Sequence, residues 1–217
     1  MSKTAIVLGA TGMVGSAVLT SLLGNVAYTK VVALTRRPLS IQHEKLENVV
    51  LDFEQLLDYQ SVIHGDDLFL CIGSTIKKAG SQAAFRRIDM DYPMQVAIMA
   101  KTNGVRQVVL CSAVDADAQS RIFYNQVKGN LEDALKGLDF DTLHIFQPSI
   151  LLGERNEERL GEKIGQAVGR FLLKITPNLW GKYEPVRGDT VGEAMVRAAQ
   201  LDKKGVCVYA SDKIKYV

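Results

Sequence analysis

The sequence predicts an α/β domain built on a doubly wound parallel sheet. Three observations predict it. Short β-branched runs alternate with longer helical patterns along the 217 residues. Most of those runs are continuously apolar, the mark of strands covered on both faces. The first run passes through a glycine-rich turn directly into a helical pattern, as a βα unit does.

The predicted strands are Thr4–Leu8, Lys30–Leu34, Asn48–Leu51, Asp67–Cys71, Gln107–Cys111, Asp141–Phe146 and Val206–Tyr209. Helical periodicity covers Met13–Leu23, Gln82–Asn103 with a break near Pro93, Arg121–Lys136, Glu157–Lys174 and Thr190–Gln200, with one or two short helices in Gln55–Ile63. Repeated βα units take right-handed crossovers. The stretch from Gly153 to Gly188 breaks this rhythm and reads as a helix plus an irregular excursion carrying Trp180 and Tyr183. The chain shows no repeat or linker, so residues 1–217 are expected to form one domain.

Composition narrows the function classes. A hydrophobic fraction of 47% and a net charge of +2 are ordinary for a globular protein, and no basic run suggests nucleic acid or a membrane surface. No run approaches the ~18 apolar residues of a membrane span. Lys3 followed by AIVLGATGMVGSAVLTSLL has the outline of a leader peptide. Its three glycines suit a strand, turn and helix better. Cys71, Cys111 and Cys207 are odd in number and lack metal-type spacing, so they read as reduced thiols of a cytoplasmic protein. His43, His64 and His144 are scattered, without ligand spacing. Arg155, Arg159 and Arg187 read as surface ion-pair formers.

The turn after the first strand is Gly9-Ala10-Thr11-Gly12-Met13-Val14-Gly15. The spacing is GxxGxxG, with a strand before it and a helix after it. The first glycine permits a tight turn, the second lets a pyrophosphate approach the backbone, and the third lets helix pack on strand. Phosphates then sit on the unpaired N–H groups of a helix N-terminus. This is a Rossmann-type dinucleotide site. The second strand ends in Thr35-Arg36-Arg37, with no carboxylate to take a ribose diol. A guanidinium fork suits a 2′-phosphate, so NADP(H) is favoured over NAD(H), with either Arg36 or Arg37 as the ligand. Asp52 and Phe53 stand where an adenine edge would lie, and a plain loop acid fits Asp52 equally well.

Tyr124 and Lys128 form YxxxK within a helical pattern and so share one helix face. A free phenol with pKa ~10 is a poor acid or base at neutral pH, and a neighbouring ammonium favours the phenolate. Such a pair can move a proton while hydride moves to or from a nicotinamide. Ser112 stands twelve residues before Tyr124 at the end of the fifth strand, where ligands of open α/β sheets bind.

These stretches resemble the short-chain dehydrogenase/reductase superfamily in its atypical branch, and within it the HIV Tat-interacting oxidoreductase group and its bacterial relatives. VLGATGMVGSAVL, VVALTRRPL, LFLCIGSTIKKAG, FRRIDMDYPMQVAIMAKTNGVRQVVLCSA, YNQVKGNLEDALKGLDFDTLHIFQPSILLGER and EPVRGDTVGEAM carry the resemblance across nearly the whole chain. It implies sheet order 3-2-1-4-5-6-7, NADP(H) as cofactor, and Ser112, Tyr124 and Lys128 as the reactive triad. It implies that Cys71, Ile72 and Gly73 line the cofactor and that the backbone around Pro148, Ser149 and Ile150 holds the nicotinamide carboxamide. Asp89 falls where many members carry an asparagine, and a carboxylate cannot donate as an amide does. The expected activity is NADP(H)-dependent oxidation or reduction of a small carbonyl or alcohol by a monomer or homodimer. An alternative is a redox-sensing regulator that binds NADP(H) and a protein partner. A sugar-nucleotide epimerase or dehydratase ranks below both, because such enzymes usually carry a larger C-terminal lobe.

Overall fold

The computed structural model describes residues 2–153 and 180–217. The chain opens with strand β1 (Lys3–Leu8), helix α1 (Met13–Gly24), β2 (Tyr28–Thr35), β3 (Leu46–Val50), a 3₁₀ stretch over Phe53–Val62, and β4 (Asp67–Leu70). It continues through α2 (Ile76–Ala79), α3 (Gln82–Arg86), a π turn over Arg87–Asp91, α4 (Tyr92–Thr102), β5 (Gln107–Cys111), α5 (Phe123–Lys136) and β6 (Thr142–Gln147). Two short strands follow, β7 (Leu151–Leu152) and β8 (Val186–Arg187), then α6 (Gly188–Ala198), β9 (Gly205–Ala210) and a closing 3₁₀ stretch over Ser211–Tyr216.

Seven strands make one sheet in the order β3-β2-β1-β4-β5-β6-β9, and all its pairings are parallel. This is the predicted order, with β9 as the seventh sheet strand. The order reverses between β1 and β4, so a crevice opens beyond their carboxyl ends. Alternation along the strands divides the core. Ala5, Val7, Val31, Ala33 and Val109 face α1 and α6, among Val18, Leu22, Val191 and Met195. Ile6, Leu8, Val32, Leu34, Val108 and Leu110 face α4 and α5, among Val96, Ala100, Leu131 and Leu135. Both faces are thus covered, which is why these strands are continuously apolar.

Two departures from the predicted elements have physical causes. The long helix after β4 is three pieces, and the break expected near Pro93 is a widened turn just before it. Pro93 occupies the first turn of α4, where its missing N–H is harmless, and the widened turn precedes it. The excursion contains an ordered element: β7 and β8 pair in parallel, Leu151 with Val186 and Leu152 with Arg187. Two-residue strands have no periodicity to read. The predicted helix Glu157–Lys174 lies outside the described residues. Among the described residues, no helix is long and apolar enough to cross a membrane.

Candidate active site and cofactor cleft

The glycine loop forms one wall of a cleft of about 520 Å³ at the switch point. Gly9 has φ +95°, and a Cβ on it would lie 2.4 Å from Ile72 N. Gly15 is buried, and a Cβ there would lie 2.0 Å from Gly9 O, so the third glycine lets α1 sit against the turn. Gly12 differs from both. It is exposed with φ −79°, and a Cβ on it would meet nothing closer than Gly9 O at 3.4 Å. The fold therefore does not require glycine at position 12. Gly12 also caps α1 without a side-chain acceptor, and no acidic residue lies in the first turn. The first N–H groups of the helix, on Met13, Val14 and Gly15, are left for a ligand. Val14 is buried in the core, and the Met13 side chain packs toward Gly153 and Gly188, away from this cleft.

The other walls come from three strand ends. Leu34 and Thr35 end β2 and Arg36 follows it, Phe53 follows β3, and Cys71, Ile72, Gly73 and Ser74 follow β4. Arg36 lines the cleft, while Arg37 is exposed beyond it and accepts from Thr35 Oγ1 through its carbonyl (2.8 Å). Asp52 caps the 3₁₀ stretch, accepting from Glu54 N–H (3.0 Å), and only its neighbour Phe53 lines the cleft. Phe53 stands against Tyr92 at 5.0 Å between ring centroids. Lys78, Ile88 and Tyr92 also line the cleft. They lie far along the chain from the glycine turn, and no spacing signals them.

Beyond the Gly73 wall, helix α5 carries Tyr124, Lys128 and Glu132 on one face, each a turn apart, and neither these nor Ser112 is among the residues that line the cleft. Lys128 Nζ is 2.7 Å from Asp89 Oδ1, and both side chains are almost fully buried. Asp89 Oδ2 accepts from Ser74 N–H (2.8 Å), so the carboxylate is fixed between the β4 loop and α5. A Cβ on Gly73 would lie 3.4 Å from Asp89 Oδ1 and 3.7 Å from Lys128 Nζ, which puts the ion pair behind that wall of the cleft. Burial opposes the Lys128 charge, but Asp89, with Tyr124 and Cys111, more than offsets it and holds the ammonium above the usual lysine range. Tyr124 is half-buried and lies 5.5 Å from Phe85, ring to ring.

Ser112, at the end of β5, is buried and donates to Glu132 Oε1 at 2.5 Å. Gln147 Nε2, at the end of β6, donates to both oxygens of the same carboxylate (3.0 and 3.1 Å). Glu132 itself is buried. Glu132 escaped the sequence reading, although it extends the YxxxK spacing by one more turn. Cys111 is pushed up to about 11 by burial, against the pull of Lys128, and Cys71 is raised by burial and by Cys111. Both are free thiols and stay protonated at neutral pH.

The segment after β6 is held within the protein. Pro148 O accepts from Val114 N–H (2.9 Å) and Ile150 O from Val186 N–H (3.1 Å). Ser149 N–H donates to Ser211 Oγ (3.0 Å), and its hydroxyl donates to Glu184 O (2.7 Å). Tyr183 Oη reaches Asp115 (3.3 Å), which also pairs with Lys182 (2.7 Å). Arg187 pairs with Asp189, while Arg155 and Arg159 lie outside the described residues. Among the described residues no cluster of His, Cys, Asp and Glu could hold a metal ion.

A family model described as NAD(P)H-binding matches residues 9–140. Protein HTATIP2 of Rattus norvegicus is 37% identical over 199 residues, covering 90% of this chain and 80% of the relative. Protein FMP52, mitochondrial, of Eremothecium gossypii is 34% identical over 206 residues, covering 92% and 90%. Among solved structures, the oxidoreductase ylbE from Lactococcus lactis gives a TM-score of 0.66 at 17% identity, over 100% of this chain and 96% of that one. At that identity the likeness is one of fold. The fungal relatives overturn the cytoplasmic expectation, because their name places them in mitochondria. Reduced thiols report a reducing environment and do not distinguish one such compartment from another. With the glycine-loop cleft on a doubly wound sheet, a match over more than half its length and relatives at about one-third identity, the chain belongs to the NAD(P)H-binding domain family and is homologous to HTATIP2 and FMP52.

Proposed function

We propose that the chain is an NADP(H)-dependent oxidoreductase acting on a small carbonyl or alcohol. One observation carries this reading: Lys128, one turn after Tyr124, stands behind Gly73, which lines the glycine-loop cleft. The residues present fit the cofactor, since the fold leaves position 12 free to carry a side chain and the sequence keeps it bare. The uncapped N–H groups of α1 would take the pyrophosphate. Arg36 would take the 2′-phosphate and Phe53 the adenine. Cys71, Ile72 and Gly73 would line the nicotinamide half.

NADP(H), when bound, supplies or accepts the hydride. The chain's own groups handle the proton. Tyr124 Oη gives it to the carbonyl oxygen in reduction and takes it from the hydroxyl in oxidation. Lys128, with Asp89 as its counter-charge, is the cation the phenolate meets as the proton leaves, and Ser112 Oγ orients the substrate oxygen. NADPH consumption across a panel of aldehydes and ketones tests this reading. No turnover by the wild type, or undiminished turnover in Tyr124→Phe, would remove it.

A second reading has its own observation. Ser112 and Lys128 are both engaged by buried carboxylates, which suits a regulator that binds NADP(H) and a protein partner with little chemistry. It requires partner affinity to change with NADPH, and equal affinity with and without cofactor would dismiss it.

A further inference from the structure

We propose that Asp89 is a positioning residue that matches the charge of Lys128 and thereby keeps the Tyr124 phenol protonated into the alkaline range. The inference rests on Tyr124 and Lys128 being the proton-handling pair of the proposed reaction. In a YxxxK pair the ammonium acts on the phenol because its charge is uncompensated: an opposite charge within ~4–6 Å lowers such a pKa by about 1–3 units. Here the ammonium has a carboxylate at 2.7 Å inside the protein; burial raises the Asp89 carboxyl above the usual range, against the pull of Lys128 and of Ser74 N–H. A matched pair projects a dipole, whose field fades faster with distance than that of a lone charge.

The geometry fixes this arrangement. The π turn places Asp89 inward, where it is fully buried. Ser74 N–H holds the second carboxylate oxygen, so Asp89 cannot swing away without leaving that donor unpaired. The groups facing Lys128 are Asp89 from the π turn, Tyr124 from its own helix and Cys111 from β5. Cys71 of β4 lies beside Cys111, and both thiols are neutral at pH 7. Glu132, one turn along α5, is already engaged by Ser112 and Gln147. Among these, Asp89 is the group whose charge directly opposes that of Lys128.

The experiment reads the phenol itself and needs no substrate. Tyrosinate absorbance is titrated in wild type, Tyr124→Phe, Asp89→Asn and the Asp89→Asn/Tyr124→Phe double variant. Subtracting each Tyr124→Phe curve isolates Tyr124 from the rest of the seven tyrosines. Far-ultraviolet dichroism follows folding over the same range. The expected wild-type midpoint lies at or above the ordinary ~10. In Asp89→Asn it should fall by about one unit or more. Equal midpoints in the two backgrounds would overturn the proposal, as would a wild-type midpoint already a unit below the ordinary value. If Asp89→Asn does not fold, the wild-type midpoint decides alone. Because no turnover is involved, a shifted phenol in an inactive protein would separate failure of the proposed reaction from failure of this inference.

Discussion

Ser112 Oγ donates its hydrogen bond to a carboxylate of the next helix, Glu132, rather than to open space. A serine so engaged offers lone pairs to whatever lies above it, so it is set to accept from an alcohol more readily than to donate to a carbonyl. Glu132 also holds Gln147, and it therefore ties the ends of β5 and β6 to α5.

Replacing Glu132 by Ala would strand the buried Ser112 hydroxyl and the half-buried Gln147 amide. Hydrogen bonds to a charged group contribute about 1.5–3 kcal/mol each, and a loss of about 3 kcal/mol lowers Tm by roughly 6–12 °C for a chain of this size. Ser112→Ala removes one of these hydrogen bonds and leaves Gln147 on the carboxylate, so it should lose roughly half as much, about 3–6 °C in Tm. It should lose about 100-fold in kcat on any substrate found. Calorimetric melting of the two variants checks the contrast. Equal melting temperatures would mean that Glu132 is not the keystone of this corner.

The glycines of the turn should separate fold from ligand. Gly15→Ala places a methyl 2.0 Å from a backbone oxygen, and neither backbone can yield without moving α1. It should express poorly or melt far below wild type. Gly12→Ala meets only ordinary contacts. It should reduce stability by about 0.5 kcal/mol, the small preference of an N-cap for Gly over Ala. Its effect should fall instead on cofactor, with NADPH affinity reduced about tenfold or more because the methyl enters the space assigned to the pyrophosphate. Calorimetric titration with NADPH measures this. Unchanged affinity in Gly12→Ala would argue that the dinucleotide does not approach the loop there.

Local pattern carried the sheet and the loop, and it carried little of what surrounds the reactive residues. Continuous apolar runs gave the central strands because these are covered on both faces, whereas the edge strands β3 and β9 are partly exposed, Val206 and Val208 among them. The glycine loop was legible because φ +95° at Gly9 and the close approach at Gly15 leave no alternative residue. Asp89 was visible as an unusual carboxylate, but its pairing with Lys128 spans 39 positions and depends on a π turn that no periodicity announces. Glu132 was missed because an acidic residue on a helix usually faces solvent. The β7–β8 pair was missed because two residues are too few to alternate.

Arg36 and Arg37 were indistinguishable as neighbours in sequence, and the cleft separates them. Arg36 lines it and Arg37 does not. Arg36→Glu should therefore lower NADPH affinity by about tenfold or more and leave NADH affinity equal or improved, because a carboxylate repels the 2′-phosphate and accepts from a ribose diol. Arg37→Glu should change the ratio much less. The two Kd values measured by calorimetry for each variant check this. A larger change from position 37 would reassign the phosphate ligand.

His144 should give the protein an acid-sensitive stability. Its ring is fully buried on β6, with Nδ1 3.0 Å from Tyr209 Oη and no hydrogen-bond partner for Nε2 among the described residues. Burial, and secondarily Lys203, lowers its pKa from 6.5 to about 4. Between these values the unfolded chain binds a proton that the folded chain refuses, so stability rises with pH across the window and falls as pH drops through it. The gap corresponds to about 3 kcal/mol in full, of which about 2 kcal/mol is lost by pH 5. Urea unfolding at pH 7.5, 6 and 5 measures the slope. His144→Asn keeps a polar partner for Tyr209 but cannot take up the proton, so it should flatten the slope above pH 5 even though it lowers stability at every pH. An unchanged slope in that variant would assign the acid sensitivity to other groups.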